Sequence, residues 1–267
     1  MTKTKFLFLS LCCALLAGCA TNPVTGKREM RLFSDKDEVG LGANTRDSVI
    51  KQYGRYNDPA LEAYVAGVGQ KLAAVCDRRQ LAYTFYVLDT DMVNAFAAPG
   101  GYIFVTKGIL KSMSDEAELA GIIGHEIGHV TARHSMKSME KQYGYQAVLN
   151  IASMVTQRDL SGLQQYTGYL TNMLLLGYGR DNEFQADNLG AKYAMAAGYD
   201  ARGTVDFFHK LEALEGGKKA NDLEKLFQSH PPTKERIKKL EGQIASAAQP
   251  GGARNQAGFA AAVKGIK

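Results

Sequence analysis

A histidine, a glutamate and a second histidine stand close together in the stretch ELAGIIGHEIGHVTARH, residues 118–134. On an α-helix, which turns by about 100° per residue, His125 and His129 lie about 40° apart and Glu126 lies about 60° from His129. Two imidazoles one turn apart can bind a zinc ion, and the neighbouring carboxylate can act as a general base toward a water molecule. The spacing therefore predicts a hydrolytic metal site on one face of a helix.

The residues around this motif make most of the helix circumference apolar, namely Leu119, Ile122, Ile123, Ile127 and Val130. Three ionisable groups in a core helix need a compensating partner, and a metal ion supplies one. The alternative is a buried helix whose histidines are satisfied by hydrogen bonds. His134 lies about 180° from His125 on a straight helix, so we expect it to be structural and not to bind the same ion.

Three glycines, Gly121, Gly124 and Gly128, share this helix with the motif. Each costs about 1 kcal/mol relative to alanine in a helix interior. Their presence predicts that another backbone passes close by.

A hydrolytic zinc site needs a third protein ligand, and the segment RDNEFQADNLGAKYAMAAG, residues 180–198, offers one. It predicts a helix that ends at Gly198, with Glu183 and Asp187 on a shared face near its start. We assign Glu183 as the third ligand and Asp187 as the acceptor for the outer N–H of a ligand histidine. An acidic, solvated first turn explains the same residues, and the spacing alone does not decide between the two.

The elements that must position these groups are mostly helical. Ser34 with the acids that follow it predicts a helix to about Tyr53, and a second helix is predicted over 59–75. The runs YTFYVL and YIFVT, the latter after a PGG turn, predict a small sheet. After Ser112 the sequence predicts helices. The sequence thus predicts an α+β fold that is mostly α.

Two later segments have a less definite character. Residues 144–178, rich in Tyr, Leu and Met, are interpreted as a helical pair packed on the core, roofing the active site. Residues 244–267 are interpreted as an Ala/Gly-rich, mobile C-terminal tail.

The first eighteen residues, MTKTKFLFLSLCCALLAG, combine two lysines with a short apolar stretch and predict a secretory signal. They are followed by Cys19 in the context LAGC, which resembles the bacterial lipoprotein signal, with lipidation of Cys19; an ordinary signal peptide is the alternative. Ala20 in place of Asp favours the periplasmic face of the outer membrane, and residues 19–33 would form a lipid-anchored tether.

Charge and cysteine content exclude other classes of protein. Removal of residues 1–18 takes away Lys3 and Lys5 and no acids, so the formal charge falls from +5 to +3, which is too mild to indicate nucleic-acid binding. With Cys19 lipidated, Cys76 is the remaining cysteine, so no intrachain disulfide framework is expected.

Four motifs occur in the order NAFAAPGGYIFVTKGIL, DEAELAGIIGHEIGHVTARH, EFQAD and SHPPTKERI. Together they resemble the HtpX-like and CAAX-prenyl-protease family of zinc metallopeptidases, a gluzincin family, in its soluble periplasmic lipoprotein branch. The resemblance covers about residues 30–242. It implies a metallopeptidase domain over 34–243 with a zincin-like fold, in which a helical core carries a small β-sheet whose edge strand lines the active-site cleft.

The resemblance also implies roles for individual residues. His125, His129 and Glu183 would bind one zinc ion per chain, Glu126 would be the general base, and Asp187 would lie behind the ligands. His230 would approach the metal and stabilise the oxyanion, and Arg236 would orient the loop that carries His230. The edge strand, within 93–105, would pair with the substrate main chain; the residues assigned to this role are Asn94, Ala95, Phe96, Gly101 and Tyr102.

The expected function is that of a zinc metalloendopeptidase that cleaves extended or unfolded segments of envelope or outer-membrane proteins in quality control. A second hypothesis is a latent protease that serves as a client-binding or assembly factor, with His230 closing the fourth coordination position. A third is a helical lipoprotein without a metal. The expected partners are unfolded or misassembled envelope proteins and, through Cys19, the membrane.

Overall fold

The computed structural model describes residues 19–31, 33–141, 168, 170–172, 174, 177–214, 226, 228–231, 234–248 and 251–267. The predicted signal, residues 1–18, lies outside them, as does most of the segment 144–178. The strands are β1 (Cys19–Thr21), β2 (Arg28–Met30), β3 (Thr84–Leu88), β4 (Ala95–Ala98) and β5 (Tyr102–Thr106). The helices are α1 (Asp35–Tyr53), α2 (Pro59–Ala73), α3 (Lys107–Ser112), α4 (Glu116–Ala132), α5 (Arg180–Ala196), α6 (Arg202–Leu214), α7 (Lys234–Ser246) and α8 (Gln256–Val263). The mostly helical α+β prediction is confirmed.

The first two helices begin where their side chains can cap them. Ser34 caps α1 in a capping box, since its hydroxyl accepts from the N–H of Asp37 while the Asp37 carboxylate accepts from the N–H of Ser34. Asp58 caps α2, and Pro59 occupies the first turn, where its missing N–H costs nothing. Both predicted helices are thereby confirmed.

A three-stranded sheet with the order β3-β5-β4 packs against these helices. β3 and β5 run parallel, with Thr84 opposite Tyr102, whereas β4 and β5 form an antiparallel hairpin, with Ala98 opposite Tyr102. The hairpin turn uses Gly100 and Gly101, whose φ angles of 77° and 98° favour glycine. β4 therefore lies at the edge of the sheet, and β5 lies at its centre.

Helix α4 lies in the middle of the molecule, and every one of its residues is buried. The backbone of α5 crosses it closely: a Cβ on Gly124 would lie 3.0 Å from the carbonyl oxygen of Gly190, and one on Gly128 would lie 3.0 Å from that of Ala186. On another side, α6 approaches α4: a Cβ on Gly121 would meet the Thr204 hydroxyl. The close backbone approach predicted from the glycines is confirmed.

The segment expected to be a tether is folded onto the domain. β1 and β2 form an antiparallel hairpin, and the side chain of Asn22 between them accepts hydrogen bonds from the N–H groups of Val24 and Thr25. Phe33 directly after the hairpin is buried in the core. Residues 19–31 and 33 thus belong to the folded unit.

The interpretation of residues 244–267 as a mobile tail is wrong. Helix α7 continues to Ser246, and α8 buries Phe259 to 1% exposure. Arg254 pairs with Asp115 and Asp200, which cap or flank helices of the core. The segment is held by Phe259 and Arg254, although its composition is rich in alanine and glycine.

Among the described residues, no helix combines the length and the apolar character that a membrane crossing requires.

Candidate metal centre

Four side chains from three parts of the chain converge beside α4. His125 and His129 point from α4, Glu183 from α5, and His230 from the segment before α7; one ligand atom of each lies within 4.8 Å of the others. Nε2 of His125 lies 2.9 Å from Nε2 of His129, and Glu183 Oε1 lies 3.4 Å from the latter nitrogen. All four residues are buried. The structure thus brings together the three predicted metal ligands and His230.

The chemistry of these donors fits a zinc ion. The outer nitrogen, Nδ1, of His125 faces the Asp187 carboxylate at 2.9 Å, so it carries a proton. When a metal ion displaces the proton on Nε2, the lone pair of that nitrogen is directed toward His129 and Glu183. Oε1 of Glu183 is buried and has no hydrogen-bond partner among the described residues. Two imidazole nitrogens and a carboxylate oxygen are ligands that zinc prefers, and a cation here would satisfy that oxygen.

The pKa shifts indicate that the carboxylates of Asp187 and Glu183 stabilise positive charge on His125, whereas burial lowers the pKa of His129. Burial lowers the pKa of His125, but hydrogen bonds with Asp187 and Glu183 outweigh it and raise the pKa to about 10. Burial raises the pKa of Glu183, yet the histidines around it hold the pKa well below its usual value. A metal ion at this place would meet the same carboxylates that here attract a proton.

Glu126 lies on the same face of α4 but is not a member of the ligand cluster. Its Oε1 lies 3.6 Å from Nε2 of His230, and burial raises the pKa of its carboxyl group. A buried carboxylate with a raised pKa is suited to accept and return a proton.

Asp187 and Arg236 hold the outer side of the cluster. Asp187 accepts from His125 and receives two hydrogen bonds of 2.7 Å from Nε and Nη2 of Arg236. Nη1 of Arg236 donates to the carbonyl of Pro231 at 3.0 Å and lies 3.1 Å from Glu183 Oε2. Arg236 therefore contacts the predicted ligand Glu183, the Asp187 carboxylate behind His125, and the loop of His230. The resemblance implied the contact with this loop; the contacts with the two carboxylates were not anticipated.

The surroundings of His129 contain contacts that the sequence reasoning missed. Arg133 has a φ of 59° and ends the helix, so His134 does not take the direction that a continuous helix would give it. Nδ1 of His134 lies 2.8 Å from Nδ1 of His129. Burial lowers the pKa of His134 to about 4, so the ring is neutral at pH 7. The ring of Tyr178 stacks on His129 at a centroid distance of 4.2 Å. The left-handed residue before His134 has no clear signal in the sequence, since it is an arginine.

The predicted substrate strand is placed only in part as expected. Asn94, Ala95 and Phe96 lie at or in β4, the edge strand, but the prediction is wrong for Gly101 and Tyr102. Tyr102 belongs to the central strand β5, which pairs on both sides, and the carbonyl of Gly101 accepts from Thr84. Tyr102 is therefore paired on both sides, and Gly101 lies in the turn with its carbonyl already bonded to β3, so neither residue belongs to the edge strand.

The edge strand itself is covered. All four residues of β4 are at most 3% exposed, so pairing with another chain requires the covering segments to move away. The Nδ2 group of Asn94 is buried without an acceptor among the described residues, which leaves one donor available at the start of the strand. A small cavity begins at Ala95 and the metal cluster and continues between α4 and α6; its apolar lining is Ile122, Phe207, Phe208, Leu211 and Leu226.

Comparisons with known proteins agree with this arrangement. The sequence profile described as Peptidase family M48 matches residues 59–244. The chain is 29% identical over 223 residues to the mitochondrial metalloendopeptidase OMA1 of Schizosaccharomyces pombe, which covers 82% of this chain and 64% of that protein. It is 26% identical over 188 residues to the beta-barrel assembly-enhancing protease of Escherichia coli, covering 68% of this chain and 38% of that protein. It is 30% identical over 169 residues to the metalloprotease YcaL of the same organism, covering 61% and 62%. The matched part of the chain therefore spans less than two thirds of each of these relatives.

Proposed function

Because the chain belongs to peptidase family M48, we propose that it is a zinc-dependent metalloendopeptidase that hydrolyses peptide bonds in extended or unfolded segments. The observation that carries the proposal is the convergence of His125, His129 and Glu183, with Glu126 beside them. The buried Oε1 of Glu183 has no hydrogen-bond partner within the described ranges. The proposal gives every buried ionisable group of the site a role.

In this proposal His125, His129 and Glu183 hold one zinc ion per chain. When bound, zinc supplies a Lewis acid that activates water and polarises the substrate carbonyl. Asp187 fixes His125 by accepting from its outer N–H, and Arg236 fixes Asp187.

The proton transfers fall to Glu126. Its carboxylate takes a proton from the attacking water as the C–O bond forms, and returns it to the amide nitrogen as the C–N bond breaks. His230, whose Nε2 lies 3.6 Å from Glu126 Oε1, stands where it can donate a hydrogen bond to the oxygen that becomes negative in the tetrahedral intermediate. The proton that Glu126 takes from water thus ends on the leaving amine.

Substrate recognition is assigned to β4 from Asn94 to Phe96. An extended segment would add to the free edge of this strand, once that edge is uncovered, and the hydrogen bonds would come from the main chain and tolerate many sequences. The Nδ2 group of Asn94, which has no acceptor in the described part of the chain, supports this assignment, because it offers a donor to a substrate carbonyl.

The proposed setting is the bacterial cell envelope. The signal pattern of residues 1–18 followed by Cys19 supports lipidation of Cys19 and attachment to the periplasmic face of the outer membrane. Similarity to the beta-barrel assembly-enhancing protease supports unfolded or misassembled envelope proteins as substrates.

Cleavage of an unfolded protein such as casein by the purified chain tests the activity. Glu126→Gln should leave a folded protein with its full zinc content and lower the rate by about 10²–10⁴, because the general base is lost. Glu241→Gln, the same change at an exposed site, is the matched control. Cleavage at the parent rate by Glu126→Gln, or undiminished cleavage after chelation, would overturn the proposal.

One observation favours a second candidate, a latent protease that binds client proteins. Nδ1 of His230 lies 3.2 Å from His125 Nε2 and 3.0 Å from Glu183 Oε2, so His230 can close the site as a fourth protein ligand. A site closed by four protein ligands is typical of structural zinc. Full zinc without cleavage in the parent, and cleavage gained in His230→Ala, would favour this candidate.

A further inference from the structure

We propose that His134 is a positioning residue for His129. Its imidazole accepts the hydrogen bond from the outer N–H of His129 and so fixes which nitrogen His129 turns to the metal. The proposal rests on the proposed metal site, and it assigns to His134 a task that a role in packing alone would not require.

The contacts form a chain that leads away from the metal cluster. Nδ1 of His134 lies 2.8 Å from Nδ1 of His129, and Nε2 of His134 lies 2.9 Å from Oε1 of Gln185 on α5. His134 is 1% exposed, so no solvent competes for either nitrogen. Each end of the imidazole therefore has a partner within the protein.

The protons along this chain follow from what each atom can do. The amide oxygen of Gln185 only accepts, so Nε2 of His134 carries the proton, and Nδ1 of a neutral ring has a lone pair. Nδ1 of His129 must then donate, which leaves a lone pair on its Nε2. That nitrogen faces Glu183 Oε1 and His125 Nε2, where the ligand atoms converge. A chain that begins at Gln185 thus sets the tautomer that a metal ligand needs.

The fold places His134 by breaking the helix one residue earlier. Arg133 adopts the left-handed conformation, and its Nε donates to the buried carboxylate of Glu38 at 2.8 Å. Ser135, the residue after His134, has its hydroxyl 2.6 Å from that of Tyr178, whose ring stacks on His129. His134 therefore contacts the edge of the His129 ring, and Ser135 positions Tyr178 against the face of the same ring.

The two histidine ligands have different partners. His125 is backed by a carboxylate, Asp187, whereas His129 is backed by a neutral imidazole. His134 thus orients its neighbour without adding negative charge to the site. The expected loss on removing it is a loss of orientation, which a side chain with an acceptor at the same place can restore.

Zinc affinity of the full chain, measured by competition with a chromophoric chelator, tests the proposal. His134→Leu should lower the affinity about 10–100-fold, as expected for loss of a group that orients a ligand. His134→Asn, whose Oδ1 stands where Nδ1 stood, should keep an affinity closer to that of the parent. The absorption bands of the cobalt-substituted protein should shift in His134→Leu and return toward the parent's in His134→Asn.

His209→Leu, which removes an exposed histidine from α6, is the matched control and should change neither readout. If His134→Leu does not fold, Gln185→Leu tests the same chain, because it removes the acceptor that fixes the proton on His134 and should lower affinity in the same direction. Unchanged zinc affinity in folded His134→Leu, or equal losses in the Leu and Asn variants, would overturn the proposal while leaving the peptidase proposal in place. If zinc affinity depends on His134 but the parent protein does not cleave casein, the result would count against the peptidase proposal alone.

Discussion

The substitution Arg236→Met should destabilise the protein strongly, although Arg236 is not a ligand. Arg236 is 1% exposed, donates two 2.7 Å hydrogen bonds to Asp187, lies 3.1 Å from Glu183 and donates to the carbonyl of Pro231. Removing one partner of a buried ion pair leaves the other charge uncompensated, which costs about 3–5 kcal/mol. We expect the free energy of unfolding to fall by about that amount.

The assay is urea unfolding of the purified chain in the presence of a chelator, so that zinc binding does not add to the stability of the folded state. Arg46→Met is the matched control, because the pair of Arg46 with Asp47 is partly exposed and is expected to contribute at most about 1 kcal/mol. Arg236→Lys keeps the charge but not the planar two-pronged contact, so its loss should fall between those of the two Met variants.

A double variant, Arg236→Met with Asp187→Leu, should recover part of the loss, because the uncompensated carboxylate is then gone. A loss in Arg236→Met no larger than that in Arg46→Met would refute the reasoning. It would mean that Asp187 and Glu183 are neutralised by other groups when Arg236 is absent.

Three further outcomes are expected. Gly190→Ala places a Cβ 2.8 Å from the backbone nitrogen of His125, so it should destabilise the protein by about 1–3 kcal/mol and weaken zinc binding by displacing α5. Gly67→Ala, with open space around it on α2, should stabilise the protein by about 1 kcal/mol. Urea unfolding and chelator competition check both outcomes. Phe259→Ala should cost about 3–5 kcal/mol in the same unfolding assay, and a loss near zero would restore the interpretation of a mobile tail. Burial raises the pKa of Glu116, but hydrogen bonds from Tyr64, Tyr199 and Asn255 lower it further, so the net pKa lies below 4.5. Its contribution to stability is therefore present above pH 4.5 and is lost as the pH falls through the folded pKa, and Glu116→Gln should flatten the stability profile below pH 4.5.

The parts of the site that depend on helix geometry could be predicted from the sequence. The relative directions of His125, Glu126 and His129 follow from 3.6 residues per turn, and those of Glu183 and Asp187 follow in the same way. The three glycines of α4 indicated that a second backbone would pass close by, and α5 is that backbone. Local periodicity was sufficient because each of these sets lies within one regular element.

Strand order and helix breaks could not be predicted in this way. The strands that contain Phe96 and Tyr102 are both short and largely apolar, and which of them lies at the edge depends on where β3 adds to the sheet. The end of α4 at Arg133 depends on a carboxylate, that of Glu38, far away in sequence. The order in the tail depends on burial of Phe259 and on ion pairs of Arg254 with distant acids.

The buried carboxylate of Glu38 contacts two separate parts of the proposed active site, one at the end of α4 and one at the turn between β4 and β5. It accepts from Arg133, whose conformation places His134 behind His129, and from the N–H of Gly100 in the turn between β4 and β5. Arg78, also buried, donates to the same carboxylate and to the carbonyl of Val130 near the end of α4. A buried ion pair contributes little net stability but has a defined geometry. The carboxylate of Glu38 therefore fixes the end of α4 relative to the turn that follows the edge strand. A substrate paired with that strand would then lie at a defined distance from the metal cluster.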